Sequence, residues 1–419
     1  MRRLAGTNLA QSRAYNRRVV LEAIRLGGPL PRAEIARSTA LSLQTVLNIT
    51  DDLAREGLVQ EAGVRRNGGR GAPASLLGLK PEGGFTLGLS IDHRFLVLCV
   101  VDQLGTPRAH LEESIAGLAP GQVLDCAADL AAATLRRLKV PRRRVWGAGL
   151  AMPLVFERGV PVTFGPTSVP QWAGLAVQAL LAARLGMPVA VENDATAAAM
   201  GEQLYGAGRR FSDFFYVYVG AGIGSGLVLR GQPYRGAAGR AGEFGHAVVV
   251  PRGRRCLCGS RGCLERYASL AAATAAMEGT AEGLSPVEPA RLAAAMRARK
   301  PALLGWLRIA GTHLGTALRT VETMLDPQAI VVGGIAPPEL LRALLAEADR
   351  ARRRPAADRI REPCPLLVTE AALESPALGA AALALFERTA PGEAVLTRRW
   401  REAGPSRPER PGTRDNARA

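Results

Sequence analysis

The sequence predicts a helical α+β head followed by a larger α/β module of two lobes. Three observations carry that expectation. Residues 16–59 hold three short helical patterns that run into a turn-rich hairpin. From Phe85 the pattern changes to strand-like apolar runs alternating with Ala- and Leu-rich helices, as in α/β architectures with buried strands. The chain has 419 residues, 47% of them apolar, which at roughly 100 to 200 residues per domain suits two to four domains. That content excludes a chain disordered throughout. The expected boundaries are 1–80 for the head, 81–390 for the module and 391–419 for an Arg- and Pro-rich tail that lacks apolar period and is expected to be disordered.

In the head the helical patterns cover Asn16 to Leu26, Arg32 to Ser38 and Ser42 to Glu56, with Gly27, Gly28 and Pro29 separating the first two. The third places Leu43, Val46, Leu47, Thr50 and Leu53 on one stripe at helical spacing, expected to pack on the preceding helices. Ser42, Gln44, Thr45, Asn48 and Asp52 stand at its start or on the opposite face. Short polar side chains there suit base edges in a major groove, because Gln and Asn can pair bidentately with adenine and Thr can meet a thymine methyl. Leu58-Val59, the basic stretch Gly63 to Pro73 and Leu76 to Leu79 then read as a hairpin with a glycine-rich tip. Arg65, Arg66 and Arg70 on that wing would reach phosphates or an adjacent minor groove, adding affinity and salt dependence rather than sequence choice. The other reading of the same unit is a packing or dimerisation module without DNA.

The net charge of +17 invites a nucleic-acid partner, but only Lys80, Lys139 and Lys300 among the 54 basic residues are lysines, which has the look of coding bias. Local density is more telling: residues 1–80 carry thirteen basic side chains against six acidic ones. Met1 to Val20 holds no apolar core for secretion, and no run approaches the roughly 18 apolar residues of a membrane span. A cytoplasmic protein without membrane association is expected.

In the module the strand-like runs are Phe85 to Ile91, Leu96 to Val101, Val145 to Ala151, Val189 to Val191, Phe214 to Val219, Gly226 to Leu229 and Ala329 to Val332. The glycine run from Gly220 to Gly226 lies between two of them, and a phosphate cradle or a tight hairpin explains it equally well. Val191-Glu192-Asn193-Asp194-Ala195 follows a strand and opens a helix, so Asn193 and Asp194 are either a site at a strand end or a helix cap. His246 with Cys256, Cys258 and Cys263 makes a closed Cys₃His set of the structural zinc type, expected to pin a loop over 246–263 that has little core of its own. Six cysteines are too few for a disulfide scaffold, and Cys99, Cys126 and Cys364 read as small core residues. Arg350 to Arg354 reads as a solvated helix end.

Gly6-Thr7-Asn8, Asn16-Arg17-Arg18 and the run RAEIARSTALSLQTVLNITDDLAREGLV from Arg32 resemble the winged helix-turn-helix of ROK-family regulators of the N-acetylglucosamine and xylose repressor type. Departures are Pro31 where a serine cap is common, Ala40 where the turn often has Gly, and Leu47-Asn48 where Ser-Arg is frequent. ENDA, the GEFGH segment at Gly242 and CLCGSRGCLE at Cys256 are similar to that family's signature, as are Pro170-Gln171-Trp172, Asp326-Pro327 and Val332-Gly333-Gly334.

The resemblance implies an actin-like, hexokinase-type module closing on a sugar, with Asn193, Asp194, Glu243, His246 and Glu265 holding hydroxyls. It makes Asp194 the base in the family's kinases, and it allows His246 to give one ring nitrogen to zinc and the other to sugar. Those kinases carry an Asp-x-Gly-Gly-Thr loop after the first strand. Here the four positions are Ser90, Asp92, His93 and Arg94, and Ala221 stands where a second loop usually has threonine. Phosphoryl transfer depends on such positioning and charge stabilisation, so no enzymatic activity is expected and Asp194 reads as a vestigial base.

The implied function is a transcriptional regulator, expected to be a repressor of carbohydrate genes. Its partners would be a double-stranded operator, a sugar or phosphosugar effector and further copies of itself in a homodimer or homotetramer. The alternatives are an ATP-dependent sugar kinase with an added DNA-binding head and a regulator controlled by a protein partner.

Overall fold

The structure, a computed structural model, describes residues 9–65, 73–92, 94–157, 160–162, 170–280, 287–353, 362–369 and 375–389. The chain divides into two compact units between Lys80 and Pro81, the second running to Glu387. The tail from residue 390 lies outside the described residues.

The first unit contains α1 (Leu9–Gly27), the short β1 (Leu30–Pro31), α2 (Arg32–Thr39), α3 (Leu43–Arg55) and the hairpin β2 (Val59–Arg65) and β3 (Ala74–Leu79). The first helix starts seven residues before the expected Asn16, in a segment whose residues propagate a helix without showing an apolar stripe. Its Val20 and Ile24 pack with Ile35, Val46, Leu53 and Leu77 as the buried core of the head. On α3 the buried stripe is Val46, Ile49, Thr50 and Leu53; Leu43, expected inside, is 50% exposed. Leu43 stands at the first position of the helix, Leu47 is half-buried, and Ile49 is buried although the expected stripe left it out. Ala40 closes the α2–α3 turn at φ 55°, a left-handed conformation that costs alanine about 1 kcal/mol. The hairpin pairs Val59 with Leu79 and Arg65 with Ala74, with a bulge between Glu61 and Val64, while β1 adds a third strand against Leu76 and Leu77.

In the second unit one lobe is built from β4 (Phe85–Ile91), β5 (Phe95–Asp102), β6 (Pro107–Ser114), α4 (Pro120–Arg137), β7 (Val145–Met152), a β8 (Val155–Glu157) and β9 (Val160–Val162) hairpin, α5 (Val177–Leu185), β10 (Val189–Asn193) and α6 (Asp194–Tyr205). Its sheet has the order β10-β7-β4-β5-β6, parallel from β10 to β4 and antiparallel beyond. The other lobe contains β11 (Phe214–Val219), β12 (Ile223–Leu229), β13 (Gln232–Pro233), α7 (Glu265–Ala268), α8 (Leu270–Glu278), α9 (Pro289–Arg297), α10 (Pro301–Leu325), β14 (Ala329–Gly334), α11 (Pro338–Arg352), β15 (Leu366–Val368) and α12 (Ser375–Thr389), with sheet order β13-β12-β11-β14-β15. The β6 strand escaped prediction because it is an edge strand with mostly exposed side chains and hence no apolar alternation.

Each sheet buries one face under its own helices, α4 and α5 in the first lobe and α8, α10 and α11 in the second. The opposite faces meet α6 and α12. Ala197, Ala198, Ala380 and Leu383 of these helices share a core with Phe214, Tyr216 and Val331 of the second sheet. A Cβ on Gly88 or Gly149 would strike the backbone of α12, and one on Gly379 would strike α6. The Arg350–Arg354 expectation fails at Arg352: its side chain is 1% exposed and its guanidinium holds Glu322 of α10 at 2.5 Å and Asp349 at 2.7 Å. A carboxylate 30 residues away, invisible to local pattern, draws the cation into the α10–α11 contact.

Candidate functional site

The first strands of both sheets end at one cleft. There β10 delivers Asn193, and Asp194 opens α6; Asn193 accepts from the amides of Ala195 at 3.0 Å and Thr196 at 3.3 Å, and Asp194 from Ala195 at 2.8 Å. The two residues therefore cap the helix and also line the cleft, so the two sequence readings coexist. Burial raises the Asp194 carboxyl to about 6, and the nearby Glu243 and Asp92 add to that shift.

Across the cleft, Glu243 and His246 lie in the turn that follows Gly242. Ser225 of β12 donates to the Gly242 carbonyl at 2.7 Å, and Phe244 packs edge-on against Phe215 at 5.2 Å, which fixes this turn on the second sheet. Burial raises the Glu243 carboxyl as well, and the nearby His246 offsets part of the rise. Glu265, at the start of α7, is 6% exposed and completes the group. All five residues expected to hold hydroxyls thus line one cavity. The glycine run is the β11–β12 hairpin, and its Ala221 and Gly222 also face the cavity.

Of the four loop positions, Ser90 and Asp92 line the cleft. Asp92 Oδ1 accepts from the amides of Arg94 at 2.6 Å and Phe95 at 2.7 Å, closing the β4–β5 turn on itself. The Arg94 guanidinium lies over the Phe95 ring at 5.5 Å, and His93 lies outside the described residues. Glu112 of β6 and Tyr218 of β11 also line the cavity and were not singled out from the sequence. Glu112 sits on the unpredicted edge strand, and Tyr218 looks like any aromatic of a buried strand.

Beside the cleft, the ligand atoms of His246, Cys256, Cys258 and Cys263 all lie within 4.8 Å of one another. Cys256 Sγ is 3.6 Å from His246 Nδ1, and Cys258 Sγ is 3.6 Å from Cys263 Sγ. Tetrahedral zinc with bonds of about 2.0–2.3 Å would set such edges at about 3.5–3.8 Å, so the donor set fits a metal. Burial pushes the Cys256 thiol up strongly and that of Cys263 to about 11. The loop backbone is held by bridges from Val248 to Cys263 and from Arg255 to Arg261. Gly262, at φ 81°, leaves no room for a Cβ beside the Val250 carbonyl. His246 Nε2 faces Glu243 at 3.7 Å, while Nδ1 faces the sulfur cluster and Glu265 at 3.6 Å. One imidazole therefore belongs to both groups, and Glu265 turns one oxygen to Cys256, whose thiol donates at 3.0 Å.

In the head, Ser42 is the N-cap of α3, accepting from the Thr45 amide at 3.1 Å. Gln44 and Asn48 are exposed and joined to each other at 3.1 Å. Thr45 is half-buried. Arg65 pairs with Glu34 of α2 at 2.6 Å, whereas Arg66 and Arg70 lie outside the described residues. The polar face is thus present, although Asp52 is engaged by Arg13 and Arg55, which hold its carboxyl below the usual range.

Residues 145–387 match the ROK family. The chain belongs to that family. This ROK protein is 26% identical to a xylose repressor of Bacillus spizizenii over 317 residues, covering 76% of this chain and 81% of that protein. The crystal structure of a ROK family transcriptional regulator, a homologue of the E. coli MLC protein, superposes with a TM-score of 0.73 over 93% of this chain and 99% of that one, at 23% identity, and shows the shared fold. A ROK family glucokinase from Streptomyces griseus, solved with glucose and AMPPNP, superposes at TM-score 0.58 and 27% identity over 72% of this chain and 99% of its own. The second unit therefore has the actin-like, hexokinase-type fold of the ROK family. No described helix is long and apolar enough to cross a membrane.

Proposed function

We propose that this ROK protein is a sugar-responsive transcriptional repressor that binds a double-stranded operator through its head and a sugar through the cleft. The observation that carries the reading is the convergence of Asn193, Asp194, Glu243, His246 and Glu265 on one cavity whose neighbouring β4–β5 turn has its amides capped by Asp92. Hydroxyl-binding groups are retained where a nucleotide's phosphates would find an internal carboxylate. Similarity to xylose repressors over three quarters of the chain supports the regulatory role. We assign a structural zinc to His246, Cys256, Cys258 and Cys263. Bound there, it would offset most of the charge of the three thiolates and lock the loop that carries His246 toward the cleft.

Sugar hydroxyls donate to the carboxylates of Asp194, Glu243 and Glu265, and the closed form of the lobes gains those bonds. Closure matters to DNA because a repressor acting as a homodimer or homotetramer reads half-sites about one helical turn apart, so a ligand that prefers one spacing shifts operator affinity. Ser42, Gln44, Thr45 and Asn48 are assigned to base edges, and Arg65, Arg66 and Arg70 to phosphates. Such a protein works in the cytoplasm.

The test is binding to a labelled fragment upstream of the protein's own gene, with unlabelled competitor, repeated over a panel of sugars. Specific binding that a sugar shifts supports the proposal; no specific binding under any condition overturns it. The position of Asp194, with a carboxyl poised near 6, favours sugar phosphorylation as a second reading. A coupled assay for ADP release over common hexoses decides between the two.

A further inference from the structure

The loop that carries Cys256 has an arm without a hydrophobic anchor. None of the residues from Pro251 to Arg255 is buried, so no apolar contact holds this stretch at a fixed place on the second lobe. Its backbone is nevertheless closely specified. Arg252 adopts φ 62°, a left-handed conformation that a residue with a Cβ keeps only where its surroundings impose it. Arg254 then has both main-chain groups engaged: its carbonyl accepts from the Gly262 amide at 2.8 Å, and its amide donates to the Tyr267 hydroxyl at 2.9 Å. The first bond joins the loop to itself. The second joins it to α7.

Tyr267 is held from its other side. Its carbonyl accepts from Trp306 Nε1 of α10 at 2.8 Å, and its ring lies against His313 of the same helix with centroids 5.0 Å apart. The Arg254 guanidinium covers the ring at 5.1 Å and donates to the Arg266 carbonyl at 3.1 Å. The approach of the loop is close: a Cβ on Gly253 would stand 2.2 Å from the Tyr267 hydroxyl, so only glycine passes there without a collision. Two residues before Tyr267, Glu265 accepts from the thiol of Cys256, itself two residues after Arg254. The short α7 therefore grips one segment twice, at a sulfur and at a main-chain amide, and the Glu265 that takes the sulfur also lines the cleft.

We infer that Tyr267 is a positioning residue for the Cys₃His set: through the Arg254 amide, its hydroxyl sets where Cys256 stands against His246 and Glu265. The inference rests on the assignment of His246, Cys256, Cys258 and Cys263 to a metal, and adds the residue that ties their loop to the helices behind it. Groups that orient metal ligands from outside the coordination sphere are worth about 10- to 100-fold in metal affinity.

Equilibrium competition of the full chain with a chromophoric chelator for zinc, together with the absorption of the cobalt(II)-loaded protein, tests it. Tyr267→Phe keeps the ring and the carbonyl and deletes the acceptor of the Arg254 amide. It should raise the zinc dissociation constant about tenfold or more and alter the thiolate-to-cobalt absorption. Trp306→Phe is the comparison, because it deletes the hydrogen bond on the other side of the same residue and removes bulk from the core, yet leaves the hydroxyl and the Arg254 amide in place. It should lower the melting temperature of the metal-free protein more than Tyr267→Phe does, and change zinc affinity less than about threefold. If zinc affinity in the two variants follows their order of stability, or if Tyr267→Phe binds zinc and cobalt like the native chain, the inference is overturned and the metal assignment stands. A native chain that takes up neither ion overturns both.

Discussion

At Asp194 one carboxylate serves two tasks, capping α6 and facing the cleft, and the compromise is visible in its acidity. With a carboxyl raised from 3.8 to about 6, the folded chain holds this proton more tightly than the unfolded chain between those values. Its contribution to stability therefore falls as pH rises from about 4 to 6 and is lowest above that window. Asp194→Asn keeps an acceptor for the Ala195 amide, and should stabilise the protein by about 1–2 kcal/mol at pH 8 and by little at pH 4. Thermal denaturation at the two pH values measures the difference. The same substitution should abolish the sugar response while sparing operator binding. In the native protein, sugar affinity should rise as pH passes upward through 6, where the carboxylate becomes a full acceptor. At Arg352 the buried cation faces Glu322, and Arg352→Met should cost about 3–5 kcal/mol by stranding that carboxylate, much of it regained when Glu322→Leu is added. Urea denaturation of the single and double variants checks the cycle. Neither residue's environment was legible locally: Asp194 could be read as cap or site residue because it caps α6 and also faces the cleft, and Arg352 resembled its exposed neighbours Arg350 and Arg353.

The elements were legible in proportion to how much of their chemistry is local. Fully buried strands such as Phe85–Ile91 and Phe214–Val219 stood out as apolar runs with their observed ends. The spacing of Cys256, Cys258 and Cys263 announced the cluster that these thiols form with His246. What stayed hidden depends on partners far along the chain. The edge strand β6 has no apolar face, and α12, with the sequence SPALGAAALALFERT, reads as a featureless Ala-rich helix although both sheets pack around it. The small residues are there for contact, since Gly379 stands where any Cβ would meet the Ala197 carbonyl of α6. Gly379→Val should separate the two helices and lower stability by about 1–3 kcal/mol, measured by denaturant midpoint. In the metal loop, Gly262→Val is blocked both by its backbone conformation and by Val250, so metal content after purification should fall well below one ion per chain.

For the molecule as a whole, the head and the sugar module are separate compact units within one chain, and their coupling is a matter of relative affinities. If phosphate contacts from the head dominate operator binding, raising salt from 50 to 200 mM should weaken it about a thousandfold, with the largest share of the slope lost in an Arg65, Arg66, Arg70 triple alanine variant. Filter binding across a salt series reads this directly. The fold class and the two-part organisation were legible because each unit has its own hydrophobic period; Glu112 and Tyr218 were not, because a cleft gathers residues from strands that no local pattern brings together. His246 has one ring nitrogen turned to the sulfur cluster and the other to Glu243. Two ligands that share a residue obey reciprocity: whatever free energy the ion lends to sugar binding, the sugar lends to retention of the ion. Sugar should therefore lower the metal's dissociation constant, read from equilibrium competition with a chelator, by the same factor by which the metal tightens sugar, making the regulator answerable to the cell's metal supply as well as to its carbon source.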